Sequence, residues 1–137
     1  MTTERSNLVS SMYPRLVVAD AARAIDFYVN ALGAVETVRH TDDNGKVIHS
    51  ELTLGSLMFA VKDEDPSDPG PTTLGGSPVI LALDVTNADA VGEAMIAAGA
   101  RVIYPIQNWD YGARAGRLAD PFGHLWMISQ PLPRPTS

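Results

Sequence analysis

The chain has 137 residues, enough for one domain or for two small modules that share a core. Apolar residues make up 45% and charged residues 19%, which is typical of a soluble globular protein, and the formal net charge is −6. The negative charge and the lack of a Lys/Arg cluster exclude a general nucleic-acid surface and disfavour binding to an anionic membrane, while the absence of cysteine excludes disulfides, thiolate nucleophiles and Cys-ligated zinc.

The first segment, residues 1–12, is a polar lead that contains no apolar stretch of the kind found in signal peptides. No stretch of the sequence approaches the roughly 18 apolar residues that a membrane-spanning helix needs. We therefore expect a cytoplasmic protein without a membrane partner.

Residues 13–62 have the pattern of a βαβββ module. A β-branched strand, YPRLVVAD, precedes a helix that Asp20 can cap at its start and Gly33 at its end. Two further strands flank the hairpin signal Asn44-Gly45, and SLMFAVKD forms a fourth strand. The helix has an apolar stripe with i, i+3, i+4, i+7 spacing, formed by Ala21, Ala24, Ile25, Tyr28, Ala31 and Leu32.

Residues 78–130 repeat this pattern, with a helix that Asn87 can cap at its start and Gly99 at its end. They follow a linker at 63–77, which is rich in Pro, Gly and Ser and whose carboxylates are interpreted as solvated charge, and residues 131–137 form a tail. Val18 and Val85 occupy matching positions in the two halves, which indicates an internal repeat. The sequence predicts one α+β domain, in which tandem βαβββ modules form a curved mixed sheet around a cleft and the helices cover the outer face.

The third strand carries a polar pair. One face of it carries Ile48, Ser50, Leu52 and Leu54 and the other carries Val47, His49, Glu51 and Thr53. If the first, mostly apolar set faces the helix, His49 and Glu51 point into the cleft. A histidine with a carboxylate two residues away could act as a general base with its orienting group, or could hold a polar ligand. It could equally be a hydrogen-bonded pair on a half-solvated sheet.

Three stretches resemble a known family: VVADAARAIDFYVNALGA, HSEL before a glycine, and YGARAGRLADPFGHLW. They are similar to the vicinal oxygen chelate superfamily, which includes glyoxalase I, bleomycin-resistance proteins, fosfomycin-resistance enzymes and extradiol dioxygenases. The PhnB-like proteins are the nearest branch, and the resemblance covers about residues 13–130. It is more specific for the fold than for the chemistry.

The resemblance implies that a metal would be held by one residue from the first and fourth strand of each module. Counting five residues back from Val18 and Val85 gives Tyr13 and Ile80, and counting four residues on from Gly55 and Gly123 gives Phe59 and Met127. Tyrosine is a rare ligand, thioether sulfur is soft, and the other two side chains offer no donor. Shifting the positions by one residue brings in no better ligands, so we predict neither a metal nor another cofactor.

The cleft is predicted to be lined by aromatic and apolar side chains. Trp109 and Tyr111 lie in QNWDYGARAG, which is read as an irregular segment of the kind that carries binding residues. We expect them to join further ligand-binding residues, with the two arginines as cationic edges: Tyr13, Arg15, Phe59, Ile80, Arg114 and Met127. Phe59 and Met127 could instead be ordinary core, and Arg117 and Asp120 are interpreted as strand and turn charges.

These features favour a metal-independent binding protein of the bleomycin-resistance type, which would sequester a small hydrophobic or aromatic ligand such as an antibiotic. The alternative is an enzyme of the same superfamily, most plausibly one that uses His49 and Glu51 in metal-free acid–base chemistry. A partner-binding module with an unused cleft is a third hypothesis. The resemblance also implies a homodimer.

Overall fold

The computed structural model describes residues 8–133. The first module contains strand β1 (Arg15–Val18), helix α1 (Ala21–Leu32) and strands β2 (Val35–Thr41), β3 (Val47–Leu54) and β4 (Leu57–Asp63). These strands form a mixed sheet in the order β1-β4-β3-β2, in which the pairing of β1 with β4 is parallel and the other pairings are antiparallel.

The second module repeats this arrangement. It contains strand β5 (Ile80–Asp84), helix α3 (Ala88–Ala97) and strands β6 (Arg101–Trp109), β7 (Ala113–Ala119) and β8 (Leu125–Pro131). Its sheet has the order β5-β8-β7-β6, again with one parallel pair at β5–β8. The α+β class and the tandem βαβββ modules predicted from the sequence are therefore confirmed, as two four-stranded mixed sheets.

Both long helices begin at their predicted caps and α1 ends at the predicted glycine, whereas α3 ends at Ala97, with Ala98 and not Gly99 as its C-cap. The Asp20 carboxylate accepts a hydrogen bond from the backbone N–H of Arg23, and Asn87 caps α3 in the same way through Ala90. Gly33 ends α1 with φ at 75°, a left-handed conformation that glycine adopts without a steric penalty. Within residues 8–133, no helix is long and apolar enough to span a membrane.

A common core joins the two modules. Helix α1 contacts α3, and its Tyr28 packs against Phe59 of the first sheet and Trp126 of the second. The helix-bearing sides of both sheets are thus buried together. Their opposite faces, called the cleft faces here, carry Arg15 and Glu51 in the first sheet and Tyr104, Arg117 and Met127 in the second, because directly paired residues point to the same side.

Register shifts in the β2–β3 and β6–β7 pairings modify the predicted alternation. In β3, a register shift opposite His40 and Thr41 makes Ile48 an extra residue, so Val47 is buried and Ile48 is exposed, contrary to the predicted pattern. In β6, Pro105 lies on an edge strand, where a residue without an N–H is tolerated, and the pairing with β7 shifts there. Beyond it β6 continues to Trp109, so the first three residues of QNWDYGARAG belong to a regular strand and not to the irregular segment predicted.

The linker is more ordered than a solvated connection. Its carboxylates bind specific groups: Asp63 accepts from the backbone N–H groups of Ala21 and Val47, at 2.7 Å each. The ammonium group of buried Lys62 donates to Asp65 and Asp68. A single helical turn, α2 (Pro71–Leu74), follows. The interpretation of these carboxylates as merely solvated charge was therefore wrong, because backbone donors and a buried cation lie within their reach.

The carboxylate of Asp120 links the modules at the turn before β8. Its Oδ2 accepts from the Tyr28 hydroxyl at 2.6 Å and from the Trp126 indole at 2.9 Å, while its Oδ1 accepts from the backbone N–H groups of Phe122 and His124. Burial raises the pKa of Tyr28 well above its ordinary value and the neighbouring carboxylate raises it further, so the phenol stays a donor. The ring of His124 forms a hydrogen bond to the carbonyl of Val17 across the junction.

Ile106 lies between two glycines whose replacement by alanine should have different costs. A Cβ on Gly116 would lie 2.7 Å from the backbone nitrogen of Ile106, and this atom cannot move without the strand. We therefore expect Gly116→Ala to lower the free energy of unfolding by about 2–3 kcal/mol. A Cβ on Gly92 would meet only the side chain of Ile106, and the gain in helix propensity of about 1 kcal/mol offsets part of the cost. Urea unfolding of both variants checks this difference, and equal losses would contradict it.

Candidate functional site

The cleft face of the second sheet contains an open cavity of about 240 Å³. It is mostly apolar, and its lining comes from β6, β7, β8 and the β6–β7 hairpin: Tyr104, Trp109, Tyr111, Ala115, Gly116, Arg117 and Met127. This volume is slightly below the roughly 300–1,000 Å³ of typical ligand sites. A concave, aromatic surface with a single charged group has the composition of a small-molecule site.

The hairpin between β6 and β7 positions the two largest rings. Gly112, with φ at 89°, allows the tight turn that brings Trp109 opposite Ala113. The indole N–H of Trp109 donates to the carbonyl of Ala115 at 2.9 Å, which fixes the ring over β7. The Tyr111 ring lies nearly parallel to that of Trp109, with an interplanar angle of 12° and centroids 6.4 Å apart. The hairpin therefore presents a flat aromatic wall.

Arg117 supplies the cationic group of the cavity. Its guanidinium carbon lies 5.1 Å from the centroid of the Tyr104 ring, within the range of cation–π attraction, and Arg117 pairs directly with Met127 in β8. Its Nε is fully buried and, among residues 8–133, has no hydrogen-bond partner. Arg117 and Tyr104 were not predicted to belong to the site. Arg117 follows Ala115 at the two-residue period of a strand face, but a register shift between Val102 and Tyr104 hides the orientation of Tyr104 in the sequence.

The structure brings together three of the predicted binding residues and separates the others. Trp109, Tyr111 and Met127 line the cavity. Ile80 lies on the same cleft face, two residues from Ala82, which pairs with Met127, but it is not part of the lining. The residues predicted to join them from elsewhere do not line this cavity: Tyr13, Arg15, Phe59 and Arg114.

Each of these separations has a structural cause. Arg15 lies on the cleft face of the first sheet and donates to the carbonyl of Ile48, and Tyr13 precedes that strand as an exposed side chain. Arg114 points toward the helix side, where it forms an ion pair with Asp89 of α3. Phe59 is only 4% exposed and packs in the core, so its predicted place in the cleft was wrong.

The hairpin turn at Gly55 explains the position of Phe59. This turn pairs Leu54 with Leu57, so Phe59 pairs with Leu52 and shares its buried, helix-facing side. The cleft side of β4 instead carries Met58 and Ala60. Counting four residues from the glycine gives the wrong parity here, because the pairing across the turn and not the distance from it determines the face.

His49 and Glu51 form a pair on the cleft face of the first sheet. The distance from His49 Nε2 to Glu51 Oε2 is 2.9 Å, and both side chains are partly exposed. When Nε2 carries the proton, Glu51 accepts it in a hydrogen bond and Nδ1 remains free to take up a proton, as a general base requires. The His40 ring stacks on His49, with centroids 6.4 Å apart. None of these residues lines the aromatic cavity.

The donor set does not fit the divalent metal that the resemblance implies. With the corrected parity, the cleft-side residues of the first and fourth strands include Met58, Ala60, Ile80 and Met127, and Tyr13 precedes the first strand. These side chains lack the imidazole and carboxylate groups that zinc, iron and manganese prefer. Within residues 8–133, no three His, Cys, Asp or Glu side chains are grouped so that they could hold a metal ion.

Tandem βαβββ modules with a cavity on a cleft face define the vicinal oxygen chelate fold. The chain belongs to the Glyoxalase/Bleomycin resistance protein/Dioxygenase superfamily, whose family model matches residues 10–128. Among curated proteins, it is 42% identical over 131 residues to the uncharacterized protein Rv0887c of Mycobacterium tuberculosis, covering 92% of this chain and 77% of that protein. Mycobacterium bovis has a protein, Mb0911c, with the same identity, of which 86% is covered.

Solved structures agree with this fold. TioX from Micromonospora sp. ML1 is 26% identical, with a TM-score of 0.70 over 90% of this chain and 100% of that one. The product of Arabidopsis thaliana At5g48480 is 29% identical, with a TM-score of 0.71 and coverage of 89% and 99%. A PhnB protein from Bacillus cereus, at 18% identity and a TM-score of 0.70 over 88% and 99%, shows the likeness of fold alone.

Proposed function

We propose that this protein is a metal-independent small-molecule binding protein of the glyoxalase/bleomycin-resistance type, which sequesters an aromatic compound such as an antibiotic or another aromatic natural product. The observation that carries the proposal is the cavity on the second sheet, whose wall is formed by Trp109, Tyr111, Tyr104 and Met127. Exposed apolar ring surface around a concavity is unfavourable in water, and a ligand that covers it is stabilised by the burial of that surface.

Stacking and burial would supply most of the affinity. Tyr111 is 70% exposed and Tyr104 is 52% exposed, so a planar ligand has ring surface to cover on both sides of the cavity. Burial of apolar surface contributes about 25 cal/mol per Å², and stacked or edge-to-face rings add roughly 0.5–1.5 kcal/mol per pair. The thioether of Met127 is flexible and polarisable, which suits contact with rings of varied shape.

We further propose that the protein acts as a cytoplasmic homodimer. The cavity is lined by residues of the second module alone. The polar pair His49–Glu51 lies on the first sheet and does not cover the cavity. A ligand on the aromatic wall would therefore keep one side in water. A second copy of the chain facing this wall would cover that side.

The second candidate is an acid–base enzyme. It is supported by the 2.9 Å contact between His49 and Glu51, which gives a histidine an orienting carboxylate on a solvent-accessible sheet face. In that case the reaction would take place at the first sheet, and the aromatic cavity would have at most a binding role.

A ligand screen followed by two matched substitutions distinguishes the candidates. Thermal shifts against aromatic antibiotics and natural products would identify a ligand, since binding to the folded state raises stability by mass action. Trp109→Ala should then weaken binding roughly thirtyfold, because loss of a central aromatic anchor costs about 2 kcal/mol. His49→Ala, a change of similar kind on the other sheet, should leave affinity within about twofold.

Tyr111→Ala provides a check that is independent of folding, because this mostly exposed ring is expected to contribute little to stability. It should also weaken binding. If affinity survives Trp109→Ala and Tyr111→Ala, the cavity is not the binding site. Catalytic turnover of any identified ligand that His49→Ala abolishes would favour the enzyme instead.

A further inference from the structure

We propose, on the basis of the ligand-binding function proposed above, that the ligand is an aromatic carboxylate whose anionic group is bound by Arg117. The starting observation is that the guanidinium of Arg117 has no hydrogen-bond partner among residues 8–133, although its Nε is fully buried. The two terminal nitrogens of this group are not buried, so they are the donors that a ligand in the cavity can reach.

Other arginines of the chain show what is missing at Arg117. Arg39 binds Glu36 through two nitrogens, and Arg114 binds Asp89 in the same manner. Arg15 donates to a backbone carbonyl. Arg117 instead faces the ring of Tyr104, which attracts the positive charge but accepts no conventional hydrogen bond from Nε.

The surroundings of Arg117 favour an anion over a neutral ligand. The residues that line the cavity include no carboxylate, so the charge of Arg117 is not neutralised within it. The protein as a whole carries a formal charge of −6, so its overall surface would attract cations. The cavity thus has a local charge opposite to that of the chain.

The shape of the site specifies the carboxylate and the ring together. The two terminal nitrogens of a guanidinium form a planar fork of N–H donors that matches the two oxygens of a carboxylate. This fork lies beside the wall formed by Trp109 and Tyr111, so a carboxylate attached to a flat ring system can reach Arg117 while its ring stacks. The volume of about 240 Å³ suits one or two fused rings, or the terminal part of a larger molecule.

Two probes of the same ring system test the proposal: 2-naphthoate and its neutral counterpart 2-naphthamide. We expect the wild-type protein to bind the carboxylate about tenfold more tightly, a difference of about 1.4 kcal/mol, because hydrogen bonds to an ionised acceptor are stronger than those to a neutral one. Equilibrium dialysis of each probe measures this ratio directly. A ratio near one with both probes bound would overturn the carboxylate assignment and leave the aromatic binding function intact.

Variants of two arginines on β7 provide the matched comparison. Arg117→Met keeps an unbranched side chain beside Tyr104 and should bring the ratio to about one while naphthamide binding persists. Arg117→Lys keeps the charge without the fork and should retain part of the preference for the carboxylate. This variant replaces Arg117→Met in the comparison if the methionine variant does not fold. Arg114→Met, three residues away and turned toward Asp89, should leave the ratio unchanged.

The outcomes separate the two proposals. An unchanged ratio in Arg117→Met, or its loss in Arg114→Met alone, would overturn the role of Arg117. If neither naphthalene probe binds to the wild-type protein, or if binding of both is insensitive to Trp109→Ala, the proposed aromatic site itself fails and the carboxylate assignment fails with it.

Discussion

Replacing Asp120 by alanine is expected to lower the free energy of unfolding by about 4 kcal/mol or more. The substitution leaves four donors without their acceptor: the Tyr28 hydroxyl, the Trp126 indole and two backbone N–H groups of the turn. Each buried donor that loses its partner costs roughly 1–3 kcal/mol. Since small domains are stable by only about 5–15 kcal/mol, this change approaches the total stability of the fold.

Urea unfolding followed by circular dichroism measures this loss, and two variants control it. Tyr28→Phe removes one of the four hydrogen bonds and should cost about 1–2 kcal/mol. Asp43→Ala replaces an exposed aspartate in the β2–β3 turn and should change stability by about 0.5 kcal/mol or less. A loss below about 1 kcal/mol for Asp120→Ala would show that water or a rearranged turn replaces the carboxylate.

The sequence could predict the modules because the relevant signals are local. The helical stripe from Ala21 to Ala31, the caps at Asp20 and Asn87 and the left-handed glycine at position 33 lie within one helix or beside it. Each acts through neighbours a few residues away, and the structure confirms each one. The repeat of this pattern in the second half then predicted a second module of the same kind.

The positions that the sequence predicted wrongly depend on pairing between strands. Ile48 became exposed because a register shift against β2 inserts one extra residue, and nothing in β3 alone indicates where its partner strand slips. Phe59 moved to the core because the turn at Gly55 pairs Leu54 with Leu57. A slip of one residue exchanges the two faces of a strand, so small errors in register produce complete errors in orientation.

The candidate site was predicted in part for a related reason. The aromatic residues of the β6–β7 hairpin stand close together in sequence, and counting four residues from Gly123 placed Met127 on the correct face of its strand. The sequence gives no local signal that the cleft face of one sheet carries the cavity while His49 and Glu51 lie on the other. Arg117 was missed because a charge on a strand becomes informative only when its partners are known.

Replacing Phe59 by alanine is expected to destabilise the protein by about 3–5 kcal/mol, which is the usual cost of removing a buried phenylalanine. The ring is only 4% exposed and packs edge-on against Tyr28, with centroids 5.4 Å apart, and against Trp126 at 6.2 Å. Its removal would leave a cavity where the cores of the two modules meet. Leu57→Ala, on the same strand with a side chain 63% exposed, should cost about 0.5 kcal/mol or less.

Ligand affinity separates this core role from a role in the cleft. Because Phe59 does not line the aromatic cavity, the folded Phe59→Ala protein should bind a cavity ligand within about twofold of wild type. Met127→Ala should show the opposite behaviour, with a smaller loss of stability and a clear loss of affinity, since Met127 is partly exposed and lines the cavity. Urea unfolding and equilibrium dialysis of both variants measure the two effects. A Phe59→Ala protein that keeps its stability but fails to bind the ligand would show that Phe59 lines the binding site.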